Sequence, residues 1–323
     1  MTKDTILITG ANGQIGSVLT EALRQRFGED NVIPTDIRKL DHHVGHFEFL
    51  NVLEADHIAE LIDRHQVTQI YHLAAILSAK GEQAPLPTWD INMKGLLNIL
   101  EVAREKKIAK VFNPSSIAVF GTTTPRVNTP QFTVMEPTTV YGISKVAGEL
   151  WCQYFHTRYG LDVRSVRYPG IIGYQSLPGG GTTDYAVDIY HKAILGQPYE
   201  CFLKEDTRLP MLYMDDAIRG TLELMDAPAD RISIRTSYNL SAMSFTPAEI
   251  SLEIRKHIPD FKVSYQPDFR QAIADSWTQS IDDSHARRDW GWVPKYDLVS
   301  MTEDMLVHLA EQYAVEKVEK LKS

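Results

Sequence analysis

Cysteine is scarce: the 323 residues include two, Cys152 and Cys201. Two thiols in so long a chain build neither a disulfide scaffold nor a four-cysteine zinc cage. They point to a reducing compartment, and a cytoplasmic location is expected. Long apolar runs are also missing. None reaches the roughly 18 residues a membrane helix needs, and the Ile6-Leu7-Ile8 run behind Lys3 and Asp4 is too short for a signal peptide. Nor is there an excess of positive charge, since 33 Lys and Arg face 42 Asp and Glu, a net charge of −9. That balance argues against nucleic acid as a partner, because phosphate binding needs a basic face. No His-Glu-x-x-His occurs among the 11 histidines, so His42, His43 and His46 are expected in a solvated loop and no metal is expected.

What remains is a globular mixture, 43% hydrophobic and 23% charged. Apolar, strand-like runs at 5–9, 31–36, 69–73, 110–114 and 163–168 alternate with segments of helical period at 55–65, 88–106 and 144–159. A further helix follows Gly10, with Ile15, Val18, Leu19, Ala22 and Leu23 on one side. The alternation predicts an α/β fold, a doubly wound parallel Rossmann sheet covered on both faces. Residues 1–172 are expected to form a dinucleotide-binding domain. Residues 173–323 are expected to form a smaller, mainly substrate-binding domain, with some elements returning to the sheet. In that second part 177–181 reads as a loop, 184–195 and 216–225 as helices, and the stretches near Pro247, Pro259 and Pro267 as irregular. Asp215-Asp216 and Asp282-Asp283 are expected to cap helix N-termini.

Between the first strand and the first helix stands Thr9-Gly10-Ala11-Asn12-Gly13-Gln14-Ile15-Gly16. Gly10 permits a tight turn, Gly13 lets a diphosphate approach the backbone, and Gly16 lets the helix pack closely. The helix start, with Asn12, Gln14 and Ile15, offers free N–H groups and a positive dipole end. Asp36 follows Gly16 by 20 residues, at the end of the second strand. A carboxylate there accepts from ribose hydroxyls and repels a 2′-phosphate, so NAD is the expected cofactor; Arg38 and Lys39 are the features that favour NADP. No Gly-Lys-Ser/Thr follows the glycines, which disfavours a P-loop.

Tyr141 and Lys145 are four apart at the start of a helix and so share one face. A free phenol titrates near 10; a neighbouring ammonium, an oxidised nicotinamide and a helix N-terminus all favour the phenolate. Ser115 and Ser116 end a strand at the sheet edge where ligands bind.

These residues resemble the extended short-chain dehydrogenase/reductase family over nearly the whole chain. The glycine spacing, Leu73-Ala74-Ala75, Asn92-Met93-Lys94-Gly95, Ser115-Ser116 and Tyr141…Lys145 carry the resemblance. It implies that Tyr141 moves a proton, that Lys145 binds the nicotinamide ribose, and that Ser116 orients a substrate hydroxyl. Ser115 is the neighbour that holds cofactor or substrate instead. It also implies that Ile37, Leu50, Asn51, Leu73, Ala74, Ala75, Asn92, Tyr168, Pro169 and Ile171 lie along NAD. Asn51 replaces the aspartate that relatives often carry. A homodimer through helices near Leu97 and Leu150 is implied as well.

Sugar-nucleotide members typically read Arg-Tyr-Phe-Asn where this chain has Arg167-Tyr168-Pro169-Gly170, and Arg-Asp ahead of the stretch that here reads Met211-Leu212-Tyr213-Met214-Asp215-Asp216. The stretches 114–121, 168–170, 179–187 and 282–292 are instead similar to the branch that oxidises the β-hydroxyl of L-threonine to 2-amino-3-ketobutyrate with NAD⁺. That likeness implies a small zwitterionic substrate. Ser78, Thr182, Thr183 and Trp277 are its candidate contacts, alongside Ser115, Ser116 and Tyr141. Each of the four has a structural alternative: Ser78 as a helix cap, Thr182 or Thr183 as the cap of the helix holding Tyr185, Trp277 as core. A sugar-nucleotide epimerase or dehydratase and a non-catalytic dinucleotide-binding protein are the two rival readings.

Overall fold

A strand apolar on both faces needs cover on both, and Ile6, Leu7 and Ile8 of β1 (Ile6–Thr9) are fully buried. In the computed structural model, which describes residues 4–38 and 45–322, β1 leads into α1 (Gln14–Phe27), β2 (Val32–Asp36), β3 (Glu48–Phe49), α2 (Ala55–His65) and β4 (Gln69–His72). The one-turn α3 (Ser78–Gly81), α4 (Pro85–Glu105), β5 (Lys110–Phe112), β6 (Ser115–Ser116) and α5 (Val140–Tyr159) follow. Then come β7 (Val163–Arg164), β8 (Val166–Tyr168) and β9 (Gly170–Ile172). Among the described residues the main sheet has 6 parallel strands, ordered β3-β2-β1-β4-β5-β7. This is the doubly wound order, and its reversal between β1 and β4 opens a crevice at the carboxyl ends of the strands.

The chain continues through α6 (Tyr185–Ile194), β10 (Tyr199–Cys201), β11 (Leu209–Tyr213), α7 (Met214–Asp226), β12 (Tyr238–Asn239) and β13 (Met243–Phe245). It ends with α8 (Pro247–His257), β14 (Val263–Tyr265), α9 (Arg270–Asp275), α10 (Ser284–Trp290) and α11 (Leu298–Lys322). β9, β11 and β13 form one small sheet, and β10 pairs with β14. β12 joins β8 and β6, while α7 and Trp292 share a core with Ile6 and Leu19. The two halves are therefore laced together by packing as well as by sequence.

Three local outcomes differ from the reading of the sequence. α5 begins at Val140, four residues earlier than its apolar period indicates, because the Thr139 hydroxyl accepts from the Gly142 N–H at 3.1 Å. Tyr141 thereby sits in the first turn. The Pro247 region is a helix: proline occupies the first turn, where no N–H is needed, and Thr246 with Glu249 closes a reciprocal cap at 3.2 and 2.9 Å. Asp215 and Asp216 lie inside α7 and cap nothing. The buried Asp216 carboxylate accepts from the Lys295 and Tyr296 N–H groups and pairs with Arg219 at 2.6 Å, anchoring the segment before α11. Asp283 likewise holds Arg287 and the Trp292 indole, whereas Asp282 does accept from the Ser284 N–H that opens α10.

Candidate active site

The turn from β1 to α1 works only with bare backbone. Gly10 has φ +72°, and a Cβ there would stand 2.7 Å from the Ala74 nitrogen; one on Gly16 would stand 2.2 Å from the Gly10 oxygen. No side chain caps α1, so its leading N–H groups are left for an anion. At the end of β2, the Asp36 carboxylate accepts from the backbone N–H of Asn12 at 3.2 Å and of Arg38 at 3.3 Å, poised where an adenosine ribose would lie. A diphosphate cradle and a ribose acceptor are both present, so the residues fit NAD.

One cavity at the carboxyl ends of the strands unites most of the expected residues. Its cofactor side is lined by Gly10, Gly13, Gln14, Ile15, Gly16, Leu73, Ala75, Tyr168, Pro169 and Ile171. Ser115, Ser116, Tyr141 and Lys145 line its centre, with Ser78, Thr182, Thr183 and Trp277 opposite. Asn12, Asp36, Ile37, Leu50, Asn51, Ala74 and Asn92 are not on its wall. Ile37 is exposed beyond Asp36, and Leu50 is buried. Asn51 accepts from the Leu53 N–H and donates to Glu54. Asn92 commits its amide to both backbone groups of Ile76 and to Ser144, bracing the strand exit. Lys39, His42 and His43 lie outside the described residues.

In the centre, Ser116 lies close enough to Tyr141 for its hydroxyl to favour the phenolate. Ser115 points elsewhere and donates to Glu149 Oε1 at 2.6 Å. Of the two adjacent serines, Ser115 is taken up by Glu149 and Ser116 is the one that bears on the phenol. Burial pushes Tyr141 up to about 12, against the pull of Ser116. The lysine does not offset this by itself: its Nζ stands 5.5 Å from the centre of the Tyr141 ring and donates to the Pro114 carbonyl at 2.7 Å. Burial also brings Lys145 down to about 8, opposed by Cys152 and Glu149.

On the substrate side Ser78 opens α3 and is buried in the wall; Leu77, not Ser78, precedes that helix as its cap position. Neither threonine caps α6. Asp184 occupies that position and turns back, accepting from the Gly180 and Gly181 N–H groups at 2.7 and 2.8 Å, which fixes the glycine loop. Thr182 is 1% exposed, lines the cavity, and its hydroxyl finds no hydrogen-bond partner among the described residues. Trp277 combines its two alternatives, packing in the core with Tyr141 and Tyr185 while closing the cavity. Gly170 explains the missing amide of the sugar-nucleotide pattern. A Cβ there would stand 2.3 Å from the Met211 sulfur and 2.8 Å from Thr183, so neighbouring side chains fill the space an asparagine needs.

Glu149, Arg167 and Asp184 shape the site without standing among the residues its motifs mark. Glu149 carried a local signal, one helical turn beyond Lys145; Arg167 and Asp184 find their partners only through tertiary contacts and loop geometry. Away from the cavity, His46, Glu48 and His65 gather at the β3 edge, where the Glu48 carboxylate also takes Arg64 at 3.3 Å. None of the three lines the cavity.

A Rossmann sheet with this cradle and a Ser–Tyr–Lys centre defines a dinucleotide-dependent enzyme of carbonyl–hydroxyl chemistry. The chain belongs to the NAD dependent epimerase/dehydratase family, whose model matches residues 6–241. It is 50% identical over 308 residues to the mitochondrial L-threonine 3-dehydrogenase of Bos taurus, covering 94% of this chain and 82% of that one. Among solved structures, the holo form of a GalE-like L-threonine dehydrogenase from Cupriavidus necator superposes with a TM-score of 0.93 at 58% identity, over 94% and 99% of the two chains. A monomeric L-threonine 3-dehydrogenase of metagenomic origin gives 0.93 at 47%, over 95% and 99%.

Proposed function

We propose that this protein is an NAD-dependent dehydrogenase that oxidises the β-hydroxyl of L-threonine to 2-amino-3-ketobutyrate. The observation that carries the reading is that Ser116, Tyr141 and Lys145 line one cavity together with Gly10, Gly13 and Gly16 of the diphosphate cradle and with Thr182 and Trp277. The likeness to threonine dehydrogenases over nearly the full chain supports it.

Gly10, Gly13, Gly16 and the start of α1 hold the diphosphate, and Asp36 holds the adenosine ribose. NAD⁺ held there would supply the hydride acceptor. Ser116 would donate to the β-oxygen, and Tyr141, as phenolate, would take the hydroxyl proton as the carbinol is oxidised. Lys145 keeps positive charge near the phenolate and fixes the nicotinamide ribose. The Thr182 hydroxyl, buried and unpartnered, is suited to the amino or carboxylate group of threonine, with Ser78 and Thr183 beside it. Trp277 excludes water. The filled space around Gly170 disfavours the sugar-nucleotide alternative.

The test is NADH formation by purified protein with NAD⁺ and L-threonine, with UDP-sugars in parallel. Threonine-dependent absorbance at the NADH band is expected. Its absence, together with sugar epimerisation without net NADH, overturns the reading.

The same reading includes a substrate-binding part from residue 173 onward and a homodimer in which α4 and α5 of two copies meet. Leu150, Trp151 and Tyr154 of α5 expose apolar surface that a second copy would cover; light scattering distinguishes dimer from monomer. Free, buried Cys152 and Cys201 support a cytoplasmic location, and no described helix is long and apolar enough to cross a membrane.

A further inference from the structure

Lys145 and Glu149 stand one turn apart on α5, and both reach consecutive residues of the strand end opposite. Lys145 Nζ donates to the Pro114 carbonyl at 2.7 Å, and Glu149 Oε1 accepts from the Ser115 hydroxyl at 2.6 Å. The next residue is Ser116. Glu149 is itself clamped from the far side, because Arg167 donates to its two oxygens at 2.8 and 2.7 Å, and both side chains are almost fully buried. Arg167 lies in β8, in register with Ser115, and it also reaches the Gln131 carbonyl and Asn239 at 3.0 Å. Helix, strand end and neighbouring strand are thus closed into one hydrogen-bonded ring, with the Tyr141–Ser116 pair at its edge.

We propose that Glu149 is a positioning residue for catalysis: through Ser115 it sets the strand end that presents Ser116 to Tyr141 and the Pro114 carbonyl to Lys145. A second effect follows from its charge. Lys145 faces Tyr141, Glu149 and Cys152 from its own helix and His72 from β4, while Arg167 stands behind Glu149. Among these, Glu149 is the one carboxylate, four residues beyond the buried ammonium on the same face of α5. Backbone placement at the reacting centre matters because a misplacement of about 1 Å can cost about a hundredfold in rate. The inference rests on the dehydrogenase reading.

Two variants separate positioning from charge. Ser115→Ala removes the tether and leaves the ion pair intact; kcat should fall about tenfold, with KM for NAD⁺ within about twofold and the alkaline limb of the pH profile unmoved. Glu149→Gln removes the carboxylate; kcat should fall further and the alkaline limb should move to lower pH, with Glu149→Asp restoring the limb. An unpaired buried arginine threatens folding. The double variant Glu149→Met with Arg167→Met avoids that charge and should still lose kcat. Wild-type kcat in Ser115→Ala and in the double variant, with only thermal stability reduced, overturns the inference. A wild-type protein that fails to oxidise threonine overturns the dehydrogenase reading instead.

Discussion

Thr182 and Trp277 line one cavity and both are buried in its wall, yet the threonine hydroxyl has no partner among the described residues. A buried hydroxyl left unmatched in the free protein costs stability. Such a group is retained to good purpose when a ligand supplies its partner.

Thr182→Val keeps the shape and removes the hydroxyl. With no internal bond lost, thermal stability should hold or rise. KM for threonine should increase about tenfold, the equivalent of one hydrogen bond of about 1.4 kcal/mol. An unchanged KM in steady-state kinetics removes Thr182 from the substrate site.

Tyr141→Phe removes the proton acceptor but leaves the ring. Turnover should fall by about 10² to 10⁴, while NAD⁺ affinity measured by calorimetry should change little. In the wild type, burial holds the phenol high, so the reactive phenolate becomes more abundant as pH rises. kcat/KM should climb from neutral into alkaline pH. A flat profile across that range contradicts phenolate catalysis.

Asp36→Ala should raise KM for NAD⁺ about tenfold or more, since a charge-assisted bond to the ribose is worth about 1.5–3 kcal/mol. It should also narrow the preference over NADP⁺ by removing the repelling charge. Because Asp36 accepts from Asn12 and Arg38, thermal stability serves as the control. Unaltered cofactor preference in kinetics with both dinucleotides refutes the assignment.

His72 gives an acid-stability signature. It is fully buried against Thr9 at 2.8 Å, and burial, helped by Lys145, lowers it to about 3. The unfolded chain takes up this proton near 6.5, and the folded protein refuses it until about 3. Stability is therefore lost as pH falls through that window. Urea unfolding between pH 6.5 and 4.5 should show a slope lower by about 1.4 kcal/mol per pH unit in His72→Gln than in the wild type. Equal slopes mean that His72 is not the group responsible.

Some of the site could be read directly from residue spacing. Gly10, Gly13, Gly16 and Asp36 are legible because the turn and the following strand are contiguous in sequence. Tyr141 and Lys145 are legible because four residues make one helical turn. The family resemblance favours Ser116 over Ser115, and the fold makes this a division of labour by giving the Ser115 hydroxyl to Glu149. The partners of Asn92, Ile76 and Ser144, are set by the fold, since Ser144 lies 52 residues away. α8 carries its capping signal in Thr246 and Glu249, but Pro247, Pro259 and Pro267 make the surrounding stretch read as irregular.

The sequence by itself determined the alternation of strands and helices, the bare-backbone cradle and the pairing of phenol with ammonium. Each of these depends on neighbours within a turn or a strand, whose geometry the backbone imposes. Only the tertiary structure decided which serine meets Tyr141, what Glu149 and Arg167 do, and how Thr182 and Trp277 come to share a wall with Gly10. Those contacts join residues tens to hundreds of positions apart, and packing of the whole sheet, rather than any local preference, brings them within reach.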